Sequence, residues 1–210
     1  MIARVVAQLV VAFARLLTGL RTRWIGGAPK AEQTIFVANH SSHGDFVLVW
    51  TALPPDLRAR TRPVAAADYW SGAGIKGFLA GKVFRAVLID RLKSGDGPRP
   101  LTVMNEALSA GDNLILFPEG TRNTTDAALL PLKRGIYELA KAHPQAAVVP
   151  TWIENLRRVL PKGSIIPVPL ACTVSLGPPL PVLPDESADA YLERLRRAML
   201  DCRPSSALDE

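Results

Sequence analysis

Apolar residues in this chain come in short unbroken runs separated by longer mixed stretches. TIFVA (Thr34–Ala38), PVAAA (Pro63–Ala67), AVLID (Ala86–Asp90), NLILF (Asn113–Phe117), AAVVP (Ala146–Pro150) and ACTVSL (Ala171–Leu176) each read as a strand. The runs are nearly continuous rather than alternating, so both faces of the strands must be covered, which is the pattern of a parallel sheet. Between them, apolar residues at helical spacing predict helices over Asp45–Leu53, Gly74–Phe84, Pro100–Ala110 and Leu132–Ala142, with a last helix over Ala188–Cys202. Strand and helix in alternation predict an α/β fold: a single domain with a mixed, largely parallel sheet flanked by helices. No repeat or long linker divides the sequence. The expected organisation is an N-terminal amphipathic helix and linker over 1–30, the domain over 31–203 and a tail over 204–210.

The N-terminal stretch has its own pattern. On a wheel of about 100° per residue, Arg4, Gln8, Arg15, Thr18 and Thr22 share one narrow sector, while Val5, Val6, Leu9, Val10, Ala12, Phe13, Leu16 and Leu17 spread over the rest. The sixteen residues VVAQLVVAFARLLTGL reach about 24 Å as a helix against a hydrocarbon core of about 30 Å, and Arg15 lies within them. They should not span a bilayer. The pattern predicts a helix over Ile2–Leu20 that lies in a membrane interface with its arginines at the headgroups, the alternative being a helix packed over the domain's own core. Arginines follow the apolar run at once with no small-x-small cleavage site, which argues against a secretory signal.

Composition narrows the picture. Of 210 residues 48% are hydrophobic and 21% charged, an ordinary globular balance. Cys172 and Cys202 form no CxxC and stand near no histidine pair, so neither a disulfide framework nor a zinc site is expected, and a reducing compartment is the plain reading. The excess of 25 Lys+Arg over 19 Asp+Glu gives +6 and favours an anionic partner without specifying nucleic acid, lipid or phosphorylated substrate. Part of it lies early: Arg4, Arg15, Arg21, Arg23 and Lys30 all precede the first carboxylate, Glu32.

Candidate chemistry sits where three strands stop, the place where open α/β sheets bind ligands. The segments are NHSSHGD (Asn39–Asp45), Asp90–Arg91 and FPEGTRN (Phe117–Asn123). In the first, the His40 imidazole can take a proton from an alcohol near neutral pH, and the Asp45 carboxylate can fix its tautomer and stabilise the imidazolium. Residues five apart on one helix point about 140° away from each other, so the two meet only if His40 lies in a turn before the helix that Asp45 opens. Ser41, Ser42 and Gly44 suit such a turn. Neither serine sits in a G-x-S-x-G elbow, which disfavours a serine hydrolase. His43 and His143 read as surface or loop histidines, the latter at a helix end before a proline.

In FPEGTRN, Pro118 ends the strand's ladder and Gly120 permits a sharp turn, from which Glu119 and Arg122 project. The guanidinium can grip a phosphate and the carboxylate can accept from a ligand hydroxyl; a surface ion pair stabilising the turn is the alternative. Arg91 adds a second strand-end cation. Lys133 and Arg134 follow at a helix start, where phosphate also meets free amides.

NHSSHGD, FRAVLIDR, LFPEGTRN and VVPTWIENL resemble, in order and spacing, the four blocks of the PlsC-type glycerolipid acyltransferases, over roughly Ile35 to Leu156. The resemblance implies transfer of a fatty acyl group from acyl-CoA or acyl carrier protein to the free hydroxyl of a lysophospholipid, 1-acyl-sn-glycerol-3-phosphate first among them. It implies His40 as catalytic base, Asp45 as its partner, and Arg91, Glu119, Gly120, Thr121 and Arg122 as the acceptor-binding set. No metal and no cofactor beyond the acyl carrier is expected, and the anionic partner becomes a membrane surface, met monotopically, rather than nucleic acid. The implied location is the cytoplasmic face of the inner membrane. The fourth block departs from the family's more uniformly apolar pattern in the residues TWIENL after Pro150. Another lysolipid acceptor, or a thioesterase or lysolipid hydrolase using the same His-Asp pair on water, are the alternatives.

Overall fold

The computed structural model describes residues 2–27, 32–42, 44–72, 74–90, 99–156 and 171–204. A seven-stranded sheet runs in the order β1-β7-β6-β2-β5-β3-β4, with β1 Arg21–Trp24, β2 Thr34–Ala38, β3 Thr61–Ala66, β4 Val87–Ile89, β5 Asn113–Leu116, β6 Ala147–Glu154 and β7 Thr173–Leu176. Every pairing is parallel except β6 with β7, so β7 and β1 run against the other five. This is the α/β fold with a mixed, largely parallel sheet that the apolar runs predict.

Alternation along the strands sorts the core into two layers. Ile35 and Val37 of β2 face one side, with Leu114, Leu116, Val148 and Trp152, and are covered by α6 (Pro100–Ser109), α7 (Gly135–Ala142) and α8 (Ala188–Asp201). Phe36 and Ala38 face the other side with Ile115, Val149 and Ile153, under α1 (Ile2–Thr18) and α2 (Asp45–Ala52). On that second face lie also α3 (Pro55–Ala59) and, after α4 (Ala67–Trp70) and α5 (Ile75–Phe78), a π-helical turn over Leu79–Val83.

Several boundaries differ from the sequence expectation. The helix expected over Gly74–Phe84 divides into α5 and the wider π turn; Gly77 and Gly81 weaken a regular helix there, and an added Cβ at Gly77 would strike the Gly72 carbonyl. Strand β6 continues past Pro150 to Glu154, because Thr151, Trp152, Ile153 and Glu154 pair with the antiparallel β7. Arg21–Trp24, expected within the N-terminal helix and linker over 1–30, is the edge strand β1, with one side half-buried and the other exposed. The helix expected from Leu132 begins at Gly135, and the short α3 and α4 were not expected.

Helix α2 is held at its far end by Arg58, whose guanidinium donates to the carbonyls of Trp50, Thr51 and Leu53 at 3.0, 3.2 and 2.6 Å and lies 5.3 Å from the Trp50 ring. Burial, and then nearby Arg15 of α1, lower the guanidinium's affinity for its proton. Helix α1 therefore packs on the domain, through Val6, Ala7, Val10 and Val11. Its opposite side does not: Leu9, Phe13 and Leu16 are 63%, 65% and 87% exposed. Among the described residues no helix is long and apolar enough to cross a membrane.

Candidate active site

Strands β2, β5, β3 and β4 are neighbours and parallel, so their carboxyl ends open on one rim. From β2 the chain enters Asn39 and His40; from β5 it enters Phe117; from β3 it turns into α4. Adjacency of β2 and β5 stacks the His40 ring on Phe117, with centroids 4.3 Å apart and planes 20° from parallel.

His40 and Asp45 meet as the turn geometry requires. Asp45 is the first residue of α2, fully buried, and its carboxylate reaches back over the turn rather than capping its own helix. Its Oδ2 accepts the N–H of Ser41 at 2.5 Å and of Ser42 at 2.8 Å and lies 2.8 Å from His40 Nδ1. An oxygen that already accepts two N–H groups presents itself to the ring as an acceptor, so Nδ1 carries the proton and Nε2 keeps the lone pair. The Ser42 hydroxyl accepts the Gly44 N–H at 3.3 Å. Both serines thus shape the turn. His43 lies outside the described residues.

The FPEGTRN segment fixes the backbone of His40 on both sides. The Glu119 Oε1 accepts the His40 N–H at 2.7 Å, and the Asn123 N–H donates to the His40 carbonyl at 2.7 Å. The other Glu119 oxygen accepts the Leu130 N–H at 2.8 Å. At 2% exposure this carboxylate is buried and ties three segments together, where the sequence reading had it project from the turn, and Glu119 also lines the second of the clefts beside His40. Burial is the largest influence on it and holds the carboxyl above its usual range, with the two amides pulling the other way. Asn39, just before the histidine, bridges to β6: its amide donates to the Ile153 carbonyl at 3.0 Å and accepts the Ile153 N–H at 2.7 Å.

Two clefts border His40, whose side chain is 20% exposed. One, of about 180 Å³, has Gly120, Thr121 and Arg122 on one wall and Phe46, Tyr69, Trp70 and Ala66 on the other. Gly120 has φ +68°, and an added Cβ would lie 2.6 Å from Lys133 Nζ. The Lys133 side chain therefore lies against this turn, bringing a second cation beside Thr121 and Arg122; its place before α7 was visible in the sequence, its contact with Gly120 was not. The second cleft, of about 230 Å³, lies between Asn39, Ser41, Asn123 and Thr125 and the end of β6 from Trp152 to Leu156. Arg91 lies outside the described residues. His143, expected as a surface or loop histidine at a helix end, caps α7 but is buried, its Nε2 2.9 Å from Asn105 Oδ1, and it lines neither cleft.

Sequence reasoning passed over Tyr69, Trp70 and Phe46 as cleft walls, since aromatic residues inside short helices carry no signal beyond packing. Asn39 and Asn123 were also missed; their position beside a strand-end histidine and at the close of the glutamate turn is the available clue.

Comparison with solved structures matches the crystal structure of the 1-acyl-sn-glycerophosphate acyltransferase PlsC from Thermotoga maritima with a TM-score of 0.72 at 20% identity, over 97% of this chain and 83% of that one. The likeness carries the fold. No curated protein sequence matches. The model of the Acyltransferase family matches residues 25–154. That match takes in β2 through β6, the His40–Asp45 pair and the Glu119 turn that clamps it, and the chain belongs to the Acyltransferase family.

Proposed function

We propose that this acyltransferase moves a fatty acyl group from acyl-CoA or acyl carrier protein to the free hydroxyl of a lysophospholipid, with 1-acyl-sn-glycerol-3-phosphate as the first acceptor to be tested. The observation that carries the proposal is His40 with Nδ1 committed to Asp45, standing between two clefts, one of which is lined by Arg122 and Thr121, with the Lys133 side chain against the Gly120 turn. The acceptor phosphate lies against the cationic turn. The donor thioester enters from the second cleft.

In this scheme His40 Nε2 takes the proton of the acceptor hydroxyl as its oxygen attacks the thioester carbonyl. The C–O bond forms, the C–S bond breaks as the tetrahedral oxyanion collapses, and the imidazolium returns its proton to the departing thiolate. Asp45 stabilises the imidazolium in between. Proton removal and oxyanion donors are all the transfer asks of the protein, so no metal or cofactor beyond the acyl carrier enters the scheme. Arg91, from the end of β4, belongs to the acceptor set in this reading.

Helix α1 supports a membrane-surface location, which this reading assigns to the cytoplasmic face. Its residues divide into three sectors: a packed one (Val6, Ala7, Val10, Val11, Ala14), a polar edge (Arg4, Gln8, Arg15) and an exposed apolar one (Ile2, Val5, Leu9, Phe13, Leu16). Packing on the core satisfies only the first. The exposed sector suits the headgroup boundary, with the arginines beside it.

The test is mass-spectrometric product analysis of purified protein with acyl-CoA and acyl carrier protein donors against a panel of lysolipids, alongside His40→Ala. Acylated lysophosphatidic acid, lost by about a thousandfold in the variant, is the expected result. Thiol release that does not depend on an acceptor would replace the transferase with a thioesterase.

A further inference from the structure

Helix α5 presents an apolar surface that the fold does not use. Ile75 is 80% exposed and Phe78, one turn on, 37%. From Asp68 to Asp90 the sequence holds Lys76, Lys82 and Arg85 and two carboxylates, Asp68 and Asp90, at its ends, with Arg85 paired to Asp112 at 3.1 Å, while residues 2–27 hold Arg4, Arg15, Arg21 and Arg23 and no carboxylate. Lys76 lies 4.2 Å from the Tyr69 ring, which ties α5 to α4 and puts an ammonium beside the cleft wall.

The topology places this surface on the same side of the sheet as α1. The π turn that continues α5 touches α1, and its Leu79 and Val83 pack into the same core layer as Val6 and Val10. Both elements therefore lie on one face of the sheet. Both also reach its active-site rim. Helix α5 follows β3 and α4, whose Ala66, Tyr69 and Trp70 wall the cleft beside His40. Helix α1 ends at Thr18, whose carbonyl accepts the Cys172 N–H at 2.8 Å, and Cys172 leads into β7 alongside Glu154, the carboxyl end of β6.

We infer that α5 is a second membrane contact: Ile75 and Phe78 enter the interface of an anionic bilayer beside α1, at the mouth of the Arg122 cleft. Charge decides the partner. Two apolar ridges among Arg4, Arg15, Arg21, Arg23, Lys76 and Lys82, against Asp68 and Asp90, leave a net positive surface that complements an anionic lipid surface, where each basic side chain adds attraction. The arrangement brings the lipid to the rim of the cleft, so an acceptor head group can pass from the bilayer to His40 with its acyl chain still in lipid. The inference rests on α1 being an interfacial helix.

The experiment places an environment-sensitive fluorophore on Ile75→Cys, with Phe13→Cys on α1 as the companion and Glu193→Cys on α8, on the opposite sheet face, as the control. The native thiols do not compete, since Cys172 and Cys202 are 0% and 2% exposed and burial pushes both up to about 11. Each labelled full-length chain is mixed with phosphatidylglycerol–phosphatidylcholine vesicles and with pure phosphatidylcholine vesicles, and brominated lipids report depth. The Ile75 and Phe13 labels are expected to shift to the blue and be quenched with the anionic vesicles, and the Glu193 label to stay unchanged. Ile75→Glu should weaken vesicle partition about tenfold. A Phe13 shift without an Ile75 shift overturns the inference and leaves α1 as the membrane helix. Silence from both overturns the two together, and an Ile75 label already shifted without vesicles marks a protein contact and overturns the lipid assignment.

Discussion

Glu119→Gln separates a residue that positions His40, the proposed base, from one that touches substrate. The carboxylate serves two buried N–H donors, one on each oxygen, from His40 and from Leu130. A glutamine of the same shape has one carbonyl oxygen and one NH2, so in either orientation its NH2 faces a backbone N–H. One charge-assisted hydrogen bond is lost, the other becomes neutral, and a donor is left opposed to a donor. Together these cost about 2–3 kcal/mol. For a chain of this length that lowers Tm by about 5–10 °C. If the lost bond is the one to His40, the imidazole moves with its backbone, and displacement on the order of 1 Å costs about 100-fold in rate. The assay is steady-state thiol release across acceptor concentrations at saturating donor, with a thermal melt on the same sample. The expected outcome is kcat reduced roughly 10- to 100-fold, acceptor KM changed by less than about threefold, and a lowered Tm. Unchanged Tm and kcat with acceptor KM raised tenfold or more would show the carboxylate bound to the acceptor and refute the inward-facing role.

Asp45→Asn keeps an oxygen for the Ser41 and Ser42 N–H groups and removes the charge. It should melt near the parent yet lose about 100- to 10,000-fold in kcat, while Asp45→Ala loses fold stability as well; a kcat kept in Asp45→Asn would make the carboxylate structural only. Arg122→Lys retains the charge and loses the planar fork, so acceptor KM should rise several-fold with kcat nearly kept, and an unaltered KM counts against a phosphate grip. Asn39→Ala removes two hydrogen bonds to Ile153 and leaves a buried N–H and C=O unpaired, for about 2–4 kcal/mol in denaturant unfolding.

The layout of the site was readable in the sequence because it follows from where strands stop. TIFVA and NLILF read as strands on composition alone, and once both are parallel neighbours, His40 and Phe117 leave the sheet side by side. The meeting of His40 and Asp45 was readable too, since only a turn lets residues five apart converge. The direction of a side chain was not readable. Glu119 looks outward in a sequence because glutamates favour water. Its inward course follows from two long-range N–H donors, His40 and Leu130, which only the folded chain supplies.

Pro150 hid the remaining part in a similar way. A proline lacks the N–H that a central strand uses, and the strand reading stops at Pro150 with the residues after it a departure from the fourth block. In the fold Pro150 sits opposite Val37 and its carbonyl accepts the Gly177 N–H at 2.8 Å, while β6 gains a new partner, the antiparallel β7, from Thr151 onward. That change of partner carries TWIE beyond the end of β2. Trp152 then enters the core layer under α8, with its indole N–H donating to Glu154 at 2.7 Å, and Ile153 turns to the other layer. The extension gives Asn39 a strand to bind at the level where β2 has already ended. The residue before His40 is thereby braced by a segment more than a hundred positions away. The departure from the apolar pattern is thus a strand with a polar outer edge, Glu154 and Asn155, bordering the second cleft. Its two faces are buried in different layers, so a charge introduced at Trp152 or Ile153 acts on the fold, whereas one introduced at Asn155 acts on whatever enters that cleft.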